Sequence, residues 1–264
     1  NIIFENVDSV GNSNRGMEVR NSADLDDLEL NNVNFSNNVD GIRGATTSSI
    51  DGLTITESKF NYNTKGIEIY QDESSPVQLN DVTISDTEFI DNAQKGIYTE
   101  KLSNATLDNI TVDGITSDTY VVNNGIYINL KYDSYENITI RDSTVANVSE
   151  GDPLNSNPSA SVAVTIKARG SSPDDTSYTS TPAALDDVTI ENVVIGDSFN
   201  GLRIGEFGKD YSGGGGPTDV TITSSTFRNT SGYYLEDLPD SVDLATVQSN
   251  NDFVGSTIES DVGI

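Results

Sequence analysis

The sequence predicts an all-β solenoid, a parallel β-helix of about eight coils with three short strands per coil, and three observations carry that prediction. A short apolar strand recurs seven times, as Leu28-Glu29-Leu30, Leu53-Thr54-Ile55, Val82-Thr83-Ile84, Ile110-Thr111-Val112, Ile138-Thr139-Ile140, Val188-Thr189-Ile190 and Val220-Thr221-Ile222. Each copy is followed by an apolar anchor and then, in most coils, by a glycine that opens another strand. Successive glycines from Gly16 to Gly125 lie 25, 25, 30 and 29 residues apart, a period typical of units that bury their apolar faces only by stacking on one another.

The first strand of each coil alternates, so Thr54, Thr83, Thr111, Thr139, Thr189 and Thr221 point outward in register. A double row of threonines would suit ice, but the next outward positions include Asp113, Arg141 and Glu191, which break the array. Ahead of each first strand stands Asp27, Gly52, Asp81, Asn109, Asn137, Asp187 or Asp219, residue types that tolerate left-handed backbone at a recurring bend. The anchors Phe35, Phe60, Phe89, Val145, Ile195 and Phe227 should stack inside, and Asn38, Asn63 and Asn92 mark the following corner. The third strand begins at Gly16, Gly41, Gly66, Gly96, Gly125 and Gly201, with VAVTIKAR as its counterpart in one coil.

A leucine-rich repeat is the competing solenoid, and LDDLELNNV from Leu25 to Val33 does carry its pattern. No unit, however, holds ten residues of helical apolar spacing, and the connections are Asn, Asp, Ser, Thr and Gly, which favour turns. Strands about 4.8 Å apart make eight coils a rod on the order of 40 Å long. Residues 1–264 thus read as one elongated segment, with 235–264 a cap or the start of a further module. The strand-like NIIFENV at the start suggests an upstream continuation. Polar loops interrupt the coils at 150–161, 170–184 and 208–216, and should project from one side of the rod.

The chain holds 42 acidic residues against 14 basic ones, for a net charge of -28, and has no Cys, His or Trp. This charge argues against nucleic acid as a partner, because phosphate contacts need clustered Lys and Arg. No run is long and apolar enough to insert in a membrane. The absence of cysteine excludes a disulfide framework, and the Asn, Asp, Ser, Thr and Gly excess fits an extracellular or cell-surface protein. Sequons at Asn34, Asn104, Asn109, Asn137, Asn147 and Asn229 mostly follow from the wording of the repeat.

The third strand carries the candidate site. Alternation sends Met17, Ile42, Ile67, Ile97, Ile126, Ile166 and Leu202 inward. It leaves Glu18, Arg20, Arg43, Glu68, Tyr70, Tyr98, Glu100, Tyr127, Asn129, Lys131, Lys167, Arg169 and Arg203 outward, with Lys101 and Lys209 just beyond. One function for this face is binding an anionic polysaccharide, with Arg43, Lys131, Lys167, Arg169 and Arg203 pairing its acid groups, Tyr70, Tyr98 and Tyr127 supporting sugar rings, and Asn129 adding hydrogen bonds. The alternative is cross-strand ion pairing between stacked coils. Calcium is the candidate ion, and no organic cofactor is implied. Asp24, Asp26 and Asp27, and the pair Asp186 and Asp187, are its candidate ligands, although a solvated acidic surface is the simpler account of them.

At GIYINLK, VTIKAR and GLRIG the chain resembles the right-handed parallel β-helix superfamily, over most of its length. That resemblance implies the coil geometry and a link to carbohydrate, since the superfamily includes pectate and alginate lyases, polygalacturonases, uronan epimerases, phage tailspikes and surface adhesins. The hydrolases and epimerases in it use histidine, which this chain lacks. A pectate-lyase-like site would need calcium-holding carboxylates and a base. Lys131, Lys167 or Arg169 could be that base, beside Glu100, Asp133 or Asp174. The expectation is a secreted or cell-surface structural or adhesive protein within a larger assembly, meeting glycan or neighbouring copies of itself. The alternatives are a calcium-assisted lyase and a non-catalytic glycan-binding module.

Overall fold

The computed structural model describes residues 1–20, 23–44, 48–70, 79–120, 122–151, 161–170, 178, 180–206, 215–231, 235–236 and 242–255. Three parallel sheets run along these residues. The first sheet stacks Ile2–Glu5, Asp24–Asn31, Ser49–Thr56, Leu79–Ser85, Ser103–Asp108, Ser134–Arg141 and Ala184–Glu191, and ends on Gly216–Pro217 and Val220–Thr223. The second holds Glu88–Ile90, Thr111–Ile115, Thr144–Val148, Val194–Gly196, Thr226–Arg228 and Asp252–Val254, preceded by single bridges through Asp8, Asn34 and Lys59. The third stacks Arg15–Val19, Asp40–Gly44, Lys65–Ile69, Lys95–Thr99, Asn124–Leu130, Val162–Ala168, Asn200–Ile204 and Leu235–Glu236.

The interior is a set of columns. Leu30, Ile55, Ile84, Leu107, Ile140, Ile190 and Ile222 lie in register and are buried. The anchors stack as expected: Phe60 and Phe89 are parallel at 5.2 Å between ring centroids, and Phe35 meets Phe60 edge-on at 5.9 Å. One strand assignment is corrected. Ile110-Thr111-Val112 lies across from the second sheet's Phe89 and Val145, so Val112 is this coil's anchor, and Ala105-Thr106-Leu107 fills the first-sheet place. Ala105 is small where its neighbours are Val82 and Ile138, so the apolar pattern there is weak. In consequence Thr106 replaces Thr111 in the threonine column, Asn104 replaces Asn109 at the bend, and Asp108 replaces Asp113 in the second outward row.

The bends show why the polar columns exist. Asp27, Gly52, Asp81, Asn104, Asn137, Asp187 and Asp219 all have positive φ. Two further left-handed columns occur. After the first sheet come Asn6, Asn32, Glu57, Asp86, Asn109, Asp142, Asn192 and Ser224, and after the second come Asn37, Tyr62, Asp91, Gly114, Asn147, Asp197 and Asn229. Side-chain amides tie these columns between coils, as from Asn32 to Asn6, Asn109 to Asp86 and Asn192 to Asp142, each 2.6 Å. The sequon residues Asn109, Asn137, Asn147 and Asn229 all donate to the coil before them in this way.

Inside the corner, Asn38, Asn63 and Asn92 form a buried ladder. The Asn38 amide donates to Asn63 Oδ1 at 2.8 Å and the Asn63 amide to Asn92 Oδ1 at 2.9 Å, while each side-chain amide donates back to a carbonyl of an earlier coil. Hydroxyls act alike at the other corner, where Val33, Ile110 and Val193 donate to Ser58, Ser143 and Ser225, each at 3.1 Å. Backbone groups that would be orphaned at a buried turn are thereby satisfied.

The glycines that open the third strand are required by close approach. A Cβ on Gly66 would lie 2.5 Å from the Gly96 carbonyl oxygen and 2.6 Å from Phe89, and Gly41, Gly96 and Gly125 are crowded in the same way. Ala163 occupies this position in one coil, between Asn124–Leu130 and Asn200–Ile204. At the far end a short helix, Leu244–Asn250, is N-capped by Asp243 and buries Val247. Asn250 accepts from the Ser224 amide, so the helix lies along Val220–Thr223 and covers the edge of the first sheet. It lies within 235–264, the stretch the sequence sets apart as a cap or the start of a further module. Among the described residues no helix is long and apolar enough to cross a membrane.

Gly66→Ala should lower stability by about 1–3 kcal/mol through overpacking, and Asn63→Ala by about 1–3 kcal/mol through buried groups left unpaired. Thr83→Ala, on the exposed row, should stay within about 0.5 kcal/mol of the parent. Urea denaturation of the three variants checks the order.

Candidate functional site

The third sheet displays its outward residues in straight rows, because every coil keeps the same register. One row runs Glu18, Arg43, Glu68, Tyr98, Tyr127, Thr165 and Arg203. In the next, Asn129 pairs with Lys167, and the backbone bonds set Glu100 beside them. Lys131 and Arg169 follow at the exit, where their amides donate to Glu100 and Leu130.

The charges on these rows are extensively paired. Glu18 binds Arg15 at 2.9 Å and Arg20 at 2.7 Å, and Arg43 lies 3.9 Å from Glu68 and 3.8 Å from Asp40. Arg43 also donates to the Tyr70 hydroxyl and sits 4.9 Å over its ring, and Lys65 pairs with Glu68. Glu100 is a buried hub that accepts from the Tyr98 hydroxyl and from Lys131 at 2.6 Å. Glu206 plays the same part further along, 3.0 Å from Lys167 and 3.4 Å from Arg169, whose guanidinium rests 5.0 Å over the Tyr178 ring. Burial, together with the Glu100 charge, pushes the Tyr98 hydroxyl well above the ordinary range, so it stays protonated and donates.

Several predicted residues fall apart from this group. Lys101 is buried and does not line the face. Asp133 is exposed and caps its own turn by accepting from the Ser134 amide at 2.9 Å. Asp174 and Lys209 lie outside the described residues. The acidic candidates sit on the first sheet and are spread along it. Asp24 accepts from Ser49, Asp26 faces Asp51, and Asp27 and Asp187 hold left-handed bends, while Asp186 accepts from Thr218 at 2.8 Å. Among the described residues no three carboxylates are placed to hold a metal ion.

With the coil, its corners and this face established, the comparison with known families is decisive. The model of the right-handed β-helix region matches residues 15–172, more than half of the chain. The chain belongs to the right-handed β-helix family. No curated protein and no solved structure matches it.

Alternation misses one residue of this β-helix that matters. Lys95 opens its third strand one residue before Gly96, level with Lys65 and Asn124, at a position the two-residue period sends inward. Its ammonium instead emerges over two aromatic faces, 4.7 Å from the Tyr98 centroid and 5.8 Å from that of Tyr127. Those rings pack edge-on at 5.3 Å, and Lys167 approaches Tyr127 at 5.3 Å. Burial, with repulsion from Lys65, brings Lys95 down to about 8, against the weaker attraction of Glu68 and Glu100. The signal present in the sequence is the column itself: Arg15, Asp40, Lys65 and Lys95 are all charged.

Because the folded value lies below that of a free lysine, the unfolded chain binds the extra proton between about pH 8 and pH 10.5, and this group's contribution to stability rises with pH across that window. A pH titration of 13C-methylated lysines by NMR should show Lys95 with a midpoint near 8. Lys65→Met should move it upward and Glu100→Gln downward. A midpoint near that of a free lysine would contradict the assignment.

Proposed function

We propose that this β-helix is a secreted or cell-surface rod with a structural and adhesive role, and that it does no chemistry on glycan. The observation that carries this reading is the pairing of the third-sheet bases. A lyase base must be free to take a proton beside the substrate carboxylate, yet Lys131 is held by Glu100, and Lys167 and Arg169 by Glu206. Pairs at these distances tie one coil to the next, as a face that holds stacked coils together requires. The net charge of -28 keeps such a rod soluble.

Incubation with polyuronates should give no rise in the absorbance of unsaturated uronate, with or without calcium. A calcium-dependent rise that Lys131→Ala abolishes would replace the scaffold reading by the lyase.

A further inference from the structure

An open groove of about 540 Å³ runs along the corner where Thr144–Val148, Val194–Gly196 and Thr226–Arg228 leave the second sheet. Its wall includes Asn147, Ser149, Glu150, Asp197, Phe199 and Asn229, none of which takes part in the ion pairs of the third sheet. Registry brings them together. Ala146 lies opposite Gly196 and Gly196 opposite Arg228, so the residues that follow, Asn147, Asp197 and Asn229, form one left-handed column along the groove.

The bonding of that column has a gap. Asn147 donates to Asp113 at 2.6 Å and Asn229 donates to Asp197 Oδ1 at 2.9 Å, but the Asp197 carboxylate has no proton to pass on to Asn147. Asn147 Oδ1 therefore accepts nothing among the described residues. Asp197 itself is matched only by Arg228, at 3.3 Å, besides Asn229. Glu150 is partly buried, and its backbone is fixed where its carbonyl accepts from the Ser161 hydroxyl. Its carboxylate has no cation or donor among the described residues, whereas Glu100 and Glu206 on the third sheet each hold a lysine. A charge withdrawn from water without a partner is costly. Behind the wall, the fully buried Asn123 donates to Ser149 Oγ at 2.9 Å, and its own Oδ1 has no donor. The partly buried Phe199 ring meets no other ring and no cation among the described residues.

These groups define a ligand. Glu150 and Asp197 repel an anion, and a neutral molecule leaves Glu150 uncompensated. Among the described residues no three acidic side chains are placed for a metal ion. A primary ammonium brings a positive charge and three N–H donors, and a ring face attracts it. We propose that Asn147, Glu150, Asp197 and Phe199 form a binding site for a primary alkylammonium, the group that free polyamines and the lysine side chain share. The ammonium pairs with Glu150 and donates to Asn147 Oδ1 and Asp197, and its alkyl chain lies on Phe199. This site goes beyond the scaffold role: a lyase product would end that role and leave the site, and a failure to bind amines would leave the scaffold.

NMR titration of the intact 15N-labelled chain tests it, at physiological salt because a net charge of -28 attracts any cation and salt screens exposed charges. n-Butylammonium should shift the amide signals of Asn147, Glu150, Asp197 and Phe199, and n-butanol should not. Glu150→Gln should weaken butylammonium by about tenfold or more and Phe199→Leu by several-fold. Glu136→Gln, the same charge change on the first sheet, should match the parent. Spermidine and Nα-acetyl-lysine amide should both bind, and the one whose affinity Glu150→Gln lowers more identifies the source as a free polyamine or a partner's lysine. Circular dichroism checks that each variant folds, and the parent's shift map with Phe199→Leu decides the matter if Glu150→Gln does not. No shifts at the groove, shifts spread over the acidic first sheet, an equal loss from Glu136→Gln, or the same map from calcium chloride alone would overturn the proposal.

Discussion

Everything in this molecule follows from a chain that must bend at the same places in every coil, on single residues with left-handed backbone. A left-handed L-residue is strained relative to the right-handed regions, and this rod accepts that strain again and again. Asn and Asp reduce the strain locally and then reach along the rod axis to the coil before or after. The bends are therefore also where coils are tied together, by Asn32 to Asn6, Asn137 to Asn104 and Asn229 to Asp197. Because the bends recur in register, the strands between them do too, and parallel ladders, stacked phenylalanines and glycine close approaches are consequences.

The same registry makes the outer face a set of rows, and rows impose electrostatics. In a chain of net charge -28, like charges in adjacent coils stand one strand spacing apart. The third sheet meets this by alternating sign along the row from Glu18 to Arg43 to Glu68, and by giving Glu100 and Glu206 two cationic or hydroxyl partners each. Where aromatic rings replace acids, at Tyr98 and Tyr127, the pattern leaves Lys95 without a counterion among the described residues.

Much of this is legible in the sequence, because a solenoid repeats its constraints. The Val-Thr-Ile strands, the phenylalanine anchors, the Asn38, Asn63 and Asn92 corner and the opening glycines are all residue-type requirements recurring at one period. The coil at 103–115 misleads because Ala105 gives too little apolar signal, while Ile110-Thr111-Val112 imitates a first strand although it belongs to the second sheet. The left-handed columns after the first and second sheets are hidden because Glu57, Tyr62 and Ser224 sit in them alongside Asn and Asp. On the third sheet, alternation identifies the outward rows and their opposite charges suggest cross-strand pairing, as found for Arg43 with Glu68 and Lys131 with Glu100. It also sends Lys95 inward, because period two does not describe a strand's first residue as it leaves a corner.

The claim that single left-handed bends set the register is tested most directly at Tyr62, which holds φ of 58° with a side chain 56% exposed, so that little packing confuses the result. Thermal unfolding of Tyr62→Gly and Tyr62→Val measures the backbone requirement alone. The account predicts that glycine, which adopts this conformation freely, matches or exceeds the parent. Valine, whose branched Cβ resists it, should fall below by about 1–2 kcal/mol. Valine equal to or more stable than glycine would show that the bends do not hold the coils in register.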